Sequence, residues 1–280
     1  MLIFLFVFTA GCGNVRQSGK LKVAATIFPI YDFVKNIGGE FVEPILIVRP
    51  GESPHTFSPT IRDLKRIKGA KAIFVNNFGL DEWVKKIASS AEIKNIVNVN
   101  ETLSSVVKAH NGNPHLWLNP DYAIEECRII RDTLCRIDPE HSKAYEKNFE
   151  NYTEKIKAES EEIKKELSGL KNKNFVAFHP AYEYFAEYFG LNEIAVVEET
   201  PGQKPTPKKI MAIENLIKSG KVKVIFKEPQ LSSDVVDAIK EDTGVKVAEL
   251  DPLGGVSGRE SYMALIKYDA DVIKRVLGGE

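Results

Sequence analysis

PEHSKAYEKNFENYTEKIKAESEEIKKELSGL, residues 139–170, is the stretch that decides the fold. It is dense in Glu and Lys and has no glycine before Gly169. Tyr145, Phe149, Tyr152, Ile156, Ile163, Leu167 and Leu170 recur at spacings of three, four or seven, which aligns them along one face of an α-helix. Pro139 suits the first turn of that helix and Gly169 its end. At 1.5 Å per residue, residues 140–168 extend roughly 43 Å. A coiled-coil partner helix and a strut packed across two lobes would both show such a stripe.

On either side of this helix the pattern is the same. Before it, strand candidates at 21–28, 42–48, 72–76 and 96–99 alternate with helices at 31–37, 60–67, 81–88 and 122–137. After it, strand candidates at 175–178, 193–197, 222–226 and 245–250 bracket helices at 210–218 and 235–241. Short apolar strands alternating with helices predict parallel sheets built from βα units. The expected fold is therefore α/β, with two lobes, each a small and mainly parallel sheet flanked by helices, joined by one long rigid helix. The corresponding division is 1–11 signal peptide, 12–20 tether, 21–138 first lobe, 139–169 linking helix and 170–280 second lobe.

The chain has 280 residues, 28% of them charged, with a formal net charge of -1. That balance gives no basic excess for nucleic acid, and a soluble globular monomer is the expected class. Of three cysteines, Cys127 and Cys135 fall on one helix about 12 Å apart, too far for a disulfide. Cys12 is different. It follows the apolar run 2–8 and Thr9-Ala10-Gly11, a run too short to span a bilayer as a helix but suited to a signal peptide. Cys after Ala-Gly resembles a bacterial lipobox, in which the thiol is lipidated and becomes the mature N-terminus. Residues 13–20 then form a flexible tether, and the protein is expected on the outer face of the cytoplasmic membrane, anchored to the bilayer through Cys12.

Four residues far apart in sequence read as one metal site: His55, His115, His179 and Asp251. Each ends or follows a predicted strand or its loop, where α/β folds place ligand groups, and each sits among turn residues. His55 lies in a loop stiffened by Pro50, Pro54 and Pro59. His115 follows Pro114 and has Trp117 near enough to shield it. His179 closes the strand 175–178, and Asp251 the strand 245–250. Three imidazoles and a carboxylate form a closed tetrahedral set of the kind that holds Zn²⁺ without a seat for water. Glu228, just past the preceding strand, is open to three readings: a fifth ligand, an acceptor for an imidazole N–H, or a salt-bridge partner. The second is preferred. His110 and His141 read as solvated, and Gly254, Gly255 and Gly258 as a loop able to move. Because imidazole binds metal only when neutral, affinity is expected to fall below about pH 6.5.

Six segments, in order, resemble the metal-binding solute-binding proteins of zinc and manganese ABC transporters, the cluster A-I receptors. They are 24–32, 54–59, 114–117, 178–182, 226–230 and 251–255. The resemblance implies two lobes with the metal between them, held by His55 and His115 from the first and by His179 and Asp251 from the second. It implies no enzyme activity and delivery of metal to a membrane permease. His179 stands where manganese receptors tend to carry a carboxylate, which resembles the zinc branch; imidazole suits Zn²⁺, and Mn²⁺, the alternative, prefers more oxygen. Many zinc members carry a His-rich loop before the second histidine, and here residues 101–113 hold only His110. Two rival classes are a zinc hydrolase, for which no His-Glu-x-x-His motif occurs, and a surface adhesin, a label sometimes given to this family.

Overall fold

The computed structural model describes residues 19–232 and 234–279. The expected signal peptide, Cys12 and most of the tether lie outside the described residues. Two four-stranded sheets form. The first contains β1 (Leu21–Ala25), β2 (Val42–Leu46), β3 (Ile73–Val75) and β4 (Ile96–Asn98) in the order β2-β1-β3-β4. The second contains β5 (Asn174–Ala177), β6 (Asn192–Val196), β7 (Val224–Lys227) and β8 (Lys246–Glu249) in the order β6-β5-β7-β8. Every ladder is parallel, so the halves repeat one topology. The central strands are apolar on both faces, as parallel strands covered on both sides must be.

Ten helices occur among the described residues. The first half supplies α1 (Phe28–Gly38), α2 (Ile61–Ile67), α3 (Val84–Ser90), α4 (Ser104–Ala109) and α5 (Pro120–Ile137). The long helix is α6 (Ser142–Ser168), followed by α7 (Glu183–Phe189), α8 (Pro207–Lys218), α9 (Asp234–Thr243) and α10 (Tyr262–Gly278). Helices α4, α7 and α10 have no counterpart among the expected elements. Pro139 opens a 3-10 turn, Pro139–His141, that runs directly into the long helix. Gly169 ends the helix at φ -76°, without a left-handed cap.

Each sheet packs its outer face against two helices of its own half. Ala24, Ile73 and Val75 meet Val84 and Ile87 of α3; Val176 and Ile225 meet Ile213 of α8 and Val236 of α9. The inner faces share one core. Val23 and Phe74 of the first sheet, Phe175 and Phe226 of the second, and Tyr145, Ile156, Ile163 and Leu167 of α6 belong to a single buried cluster, with Phe149, Tyr152 and Leu170 packed against it. The whole predicted stripe is thus consumed within the chain, which makes α6 a strut and not a coiled-coil strand. Helix α10 reaches back to the first half. The Tyr262 N–H donates to Asp32 Oδ2 at 3.0 Å, its hydroxyl donates to the Trp117 carbonyl at 2.8 Å, and its ring packs edge-on against Phe33.

A shared core predicts shared unfolding. Ile156→Ala and Ile163→Ala should each cost about 2–5 kcal/mol, and urea should unfold wild type and both variants in one transition by fluorescence and circular dichroism alike. Two resolved transitions would show that the halves are independently stable.

Candidate metal centre

The loop after β2 carries His55, and charge pairs fix it at both ends. Arg49 bridges Glu52 (3.2 Å) and Asp63 (3.0 Å). Asp63 closes a reciprocal cap with Thr60 at the start of α2, so the loop is tied to the helix that follows it. Trp83 donates its indole N–H to the Pro54 carbonyl (3.4 Å), holding the backbone next to His55.

His115 follows β4 and α4. Asn76, at the carboxyl end of β3, donates to the Pro114 carbonyl (2.9 Å), and Asn113 Oδ1 accepts both the backbone N–H of His115 (3.1 Å) and its ring Nδ1–H (2.8 Å). The orientation of that amide is set from the other side, because Asn113 Nδ2 donates to the Pro180 carbonyl (2.8 Å) and to Glu183 Oε2 (3.0 Å) in the second half. The indole of Trp117 lies 5.2 Å from the His115 ring and donates to the Pro252 carbonyl (2.7 Å). His179 follows β5, and its Nδ1 lies 2.5 Å from Glu228 Oε1.

These partners decide the tautomers. With Nδ1–H donated to Asn113 in one ring and to Glu228 in the other, Nε2 of His115 and Nε2 of His179 both carry bare lone pairs. They face each other at 3.2 Å, and Nε2 of His55 lies 3.2 Å from Nε2 of His115. All three nitrogens lie within 4.8 Å of one another. A zinc ion at 2.0–2.1 Å from tetrahedral nitrogens sets them about 3.3 Å apart, and a cation between them turns the lone-pair repulsion into coordination. Burial favours the neutral rings. Desolvation, and then repulsion from His179 whenever that ring is protonated, lowers the pKa of His55 from 6.5 to about 4. The same causes, with His55 added, hold His115 well below 6.5. Proton competition at these two rings therefore begins at lower pH than the unperturbed value suggested.

The three histidines border a cavity that also touches Trp117, Glu228 and Gln230, with a free volume of about 10 Å³, on the order of a single water. Asp251, expected as the fourth ligand, stands outside the histidine group. It is buried to 1% exposure, and its oxygens have other partners. Oδ1 accepts from Gln230 Nε2 (2.6 Å), Leu253 N (3.0 Å) and Gly254 N (3.1 Å), while Oδ2 lies 3.1 Å from Arg259 Nη1. Its backbone N–H donates to buried Asp269 (2.9 Å).

Gly255 in the 254–258 loop, at φ +80°, lies close to the first half: an added Cβ would meet the Phe28 ring at 2.8 Å and Pro50 at 3.1 Å, whereas one on Gly258 would meet nothing within 4 Å. The expectation that His110 and His141 are simply solvated needs correction: both are partnered and only partly exposed. His110 lies 2.8 Å from Glu183 Oε1 and packs on Tyr184; His141 lies 2.8 Å from Asp138 Oδ2 and stacks on Phe41. Asn113, Asn76 and Arg259 had no expected role, and Gln230 was noted only as the last residue of its segment.

Compared with known proteins, residues 23–276 match the family model described as zinc-uptake complex component A, periplasmic. The chain is 30% identical over 292 residues to the zinc-binding protein AdcA of Streptococcus pyogenes serotype M1, covering 93% of this chain and 57% of that relative's length. Solved structures similar at more than a quarter identity include two with bound metal. The solute-binding protein FpvC of Pseudomonas aeruginosa in complex with Mn²⁺ shares 27% identity with a TM-score of 0.82, over 93% of this chain and 99% of that one. The Zn(II)-bound ZnuA-like domain of Streptococcus pneumoniae AdcA shares 26% with a TM-score of 0.76, over 92% and 99%.

The lowered histidine pKa values predict an acid weakness in the metal-free protein. A base whose folded pKa lies below its unfolded value binds fewer protons when folded, so its contribution is fully present above pH 6.5 and is lost as pH falls toward the value of about 4 at His55. Glu126 and Glu193, raised to about 8 by burial, act with the opposite sign. The difference in unfolding free energy between wild type and His55→Gln isolates the histidine: wild type should lose ground to the variant as pH drops from 7 to 5. A constant difference would remove the buried-neutral reading.

Proposed function

Because the chain belongs to the zinc-uptake complex component A family, we propose that it is an extracytoplasmic receptor that captures Zn²⁺ and hands it to an ABC-type membrane permease. The observation that carries this reading is the pair of bare imidazole nitrogens facing each other 3.2 Å apart in one cavity. His55, His115 and His179 hold the ion, Glu228 fixes the ring of His179, and Asp251 adds negative charge beside the site. All-imidazole donation favours zinc over manganese.

The chain spans 57% of the length of its streptococcal relative, so delivery to a permease rests on the family and on the two-lobed form. Attachment to the membrane rests on the apolar run ending in Ala10-Gly11-Cys12. Among the described residues no helix is long and apolar enough to cross a membrane. Two or more acyl chains on Cys12 would supply stable anchoring, which one chain does not.

Three outcomes are expected. Isothermal titration of metal-free protein should show one Zn²⁺ bound, with His179→Ala losing at least a hundredfold in affinity and His141→Ala retaining it at a lower melting temperature; equal losses from both would defeat the assignment. Cys12→Ser should move the protein from the membrane to the soluble fraction, and unchanged retention would rule the lipid anchor out. Zinc loading should leave the radius of gyration by small-angle scattering nearly unchanged, since Trp117, Tyr262 and Asn113 bond the halves directly; a shift typical of wide hinge closure would contradict this.

A further inference from the structure

We propose that Gln230 supplies the fourth ligand of the bound ion through its amide oxygen, and that Asp251 acts behind it, aiming that oxygen and balancing charge. The inference rests on the zinc-receptor reading above and goes beyond it by naming the residue that completes the site.

Three imidazoles fill three corners, and a closed zinc site takes four. The free volume beside the imidazoles is only about 10 Å³, on the order of one water, so a side chain already lining that space is well placed to supply the fourth donor. Asp251 is poorly placed to serve. It lies outside the group of converging nitrogens, Oδ1 already accepts three hydrogen bonds, and Oδ2 faces the Arg259 guanidinium at 3.1 Å. Binding metal through Oδ2 would weaken the Asp251–Arg259 ion pair and leave Arg259 only the more distant Glu249 (3.9 Å) and the Tyr268 ring.

Gln230 has the complementary arrangement. It borders the same cavity as His55, His115 and His179. Its Nε2 lies 2.6 Å from Asp251 Oδ1. A carboxylate oxygen in contact with three donors is an acceptor, so the amide must turn its N–H₂ toward Asp251 and its carbonyl oxygen the other way. That carbonyl oxygen, Oε1, is buried and has no hydrogen-bond partner among the described residues. Buried polar atoms are nearly always satisfied, and an exception asks for a ligand. A divalent cation held by the three imidazoles would satisfy it.

The resulting donor set is three nitrogens and one neutral oxygen. The charge that attracts the cation then comes from outside the coordination sphere. Glu228 lies against His179 and Asp251 against Gln230, and the latter is partly cancelled by Arg259. Asp251 is a positioning residue in this scheme.

Cobalt(II) is the probe, because its visible ligand-field bands report coordination number and donor type directly, independently of affinity. Metal-free wild type and variants are loaded with Co²⁺, then titrated with Zn²⁺ in competition. Gln230→Leu should shift and weaken the bands and lower zinc affinity at least tenfold. Gln230→Glu keeps an oxygen toward the ion but loses the N–H₂ held by Asp251, and should retain four-coordinate bands at reduced affinity. Asp251→Asn keeps an acceptor for the same N–H groups; it should lower affinity while leaving the bands where wild type has them. The two conservative variants carry the test even if Gln230→Leu folds poorly. Unchanged bands in folded Gln230→Leu, or bands altered by Asp251→Asn but not by Gln230→Glu, would overturn the proposal and return the fourth position to Asp251. Failure of wild type to bind either metal would instead overturn the receptor reading itself.

Discussion

Two imidazole nitrogens with bare lone pairs, held 3.2 Å apart, are the constraint on which the rest of the structure depends. Left to themselves the rings would rotate, accept a proton or take up water. Each escape is closed by a specific partner. Glu228 and Asn113 hold the far nitrogens and prevent rotation. Burial to 2–3% exposure at His179 and His115 excludes solvent, and for His115 it also opposes protonation. Such an arrangement persists only where the surrounding structure over-determines it.

The over-determination comes from the way the halves are joined. Two sheets of identical strand order turn their inner faces to one core and share α6. Neither half can therefore relax the site without disturbing packing that belongs to both. The polar contacts follow the same plan. Asn113 belongs to the first half yet is oriented by Pro180 and Glu183 of the second. Trp117 lies two residues from His115 and bonds to Pro252, one residue after Asp251. Asp269, which burial keeps well above the usual carboxylate range, still accepts the Asp251 backbone N–H and the Tyr182 hydroxyl. Each loop at the site is held from the opposite half or from a buried polar group beneath it.

How much of this was legible in the sequence depended on the range of the interaction. The stripe from Tyr145 to Leu170 is a local pattern, and the structure consumes all of it. The histidines were legible because strand ends and proline-stiffened turns mark where an α/β sheet presents ligands. The same rule pointed to Asp251, and it says only that a residue faces the cleft region. It carries no information about Arg259, which reaches that carboxylate from a loop, or about Gln230, which reaches it from the end of another strand. Asn113 was illegible for the same reason: its orientation is fixed 67 residues away, at Pro180. Helix α10 was a different kind of omission. Tyr262, Met263, Ile266, Ala270, Ile273 and Leu277 are buried at helical spacing, so the local signal existed. What gives the helix its importance, the insertion of Tyr262 between Asp32 and Trp117, did not.

Rigidity of this kind also constrains release. A receptor that surrendered its ion by simple acidification would need imidazoles that protonate near neutral pH, and burial has moved His55 down to about 4 and His115 well below its ordinary value. On the proposed function, protonation of His55 and His115 is a poor release trigger near neutral pH, and moving the nitrogens apart is the alternative the structure offers. The shared core opposes a wide opening, but the polar bonds across the cleft are few. Separating the Pro180 turn from the 113–115 loop would remove the acceptors, the Pro180 carbonyl and Glu183, that orient the Asn113 amide. Once that amide can turn, its oxygen no longer holds the His115 Nδ1–H, and the ring is free to swing. A displacement on the order of a hydrogen-bond length, about 1–2 Å, at one cross-cleft contact would thus loosen a metal-binding nitrogen in the other half. A partner that grips both halves needs to do no more than that, which is how a rigid, high-affinity site and a usable release step coexist in one small cavity.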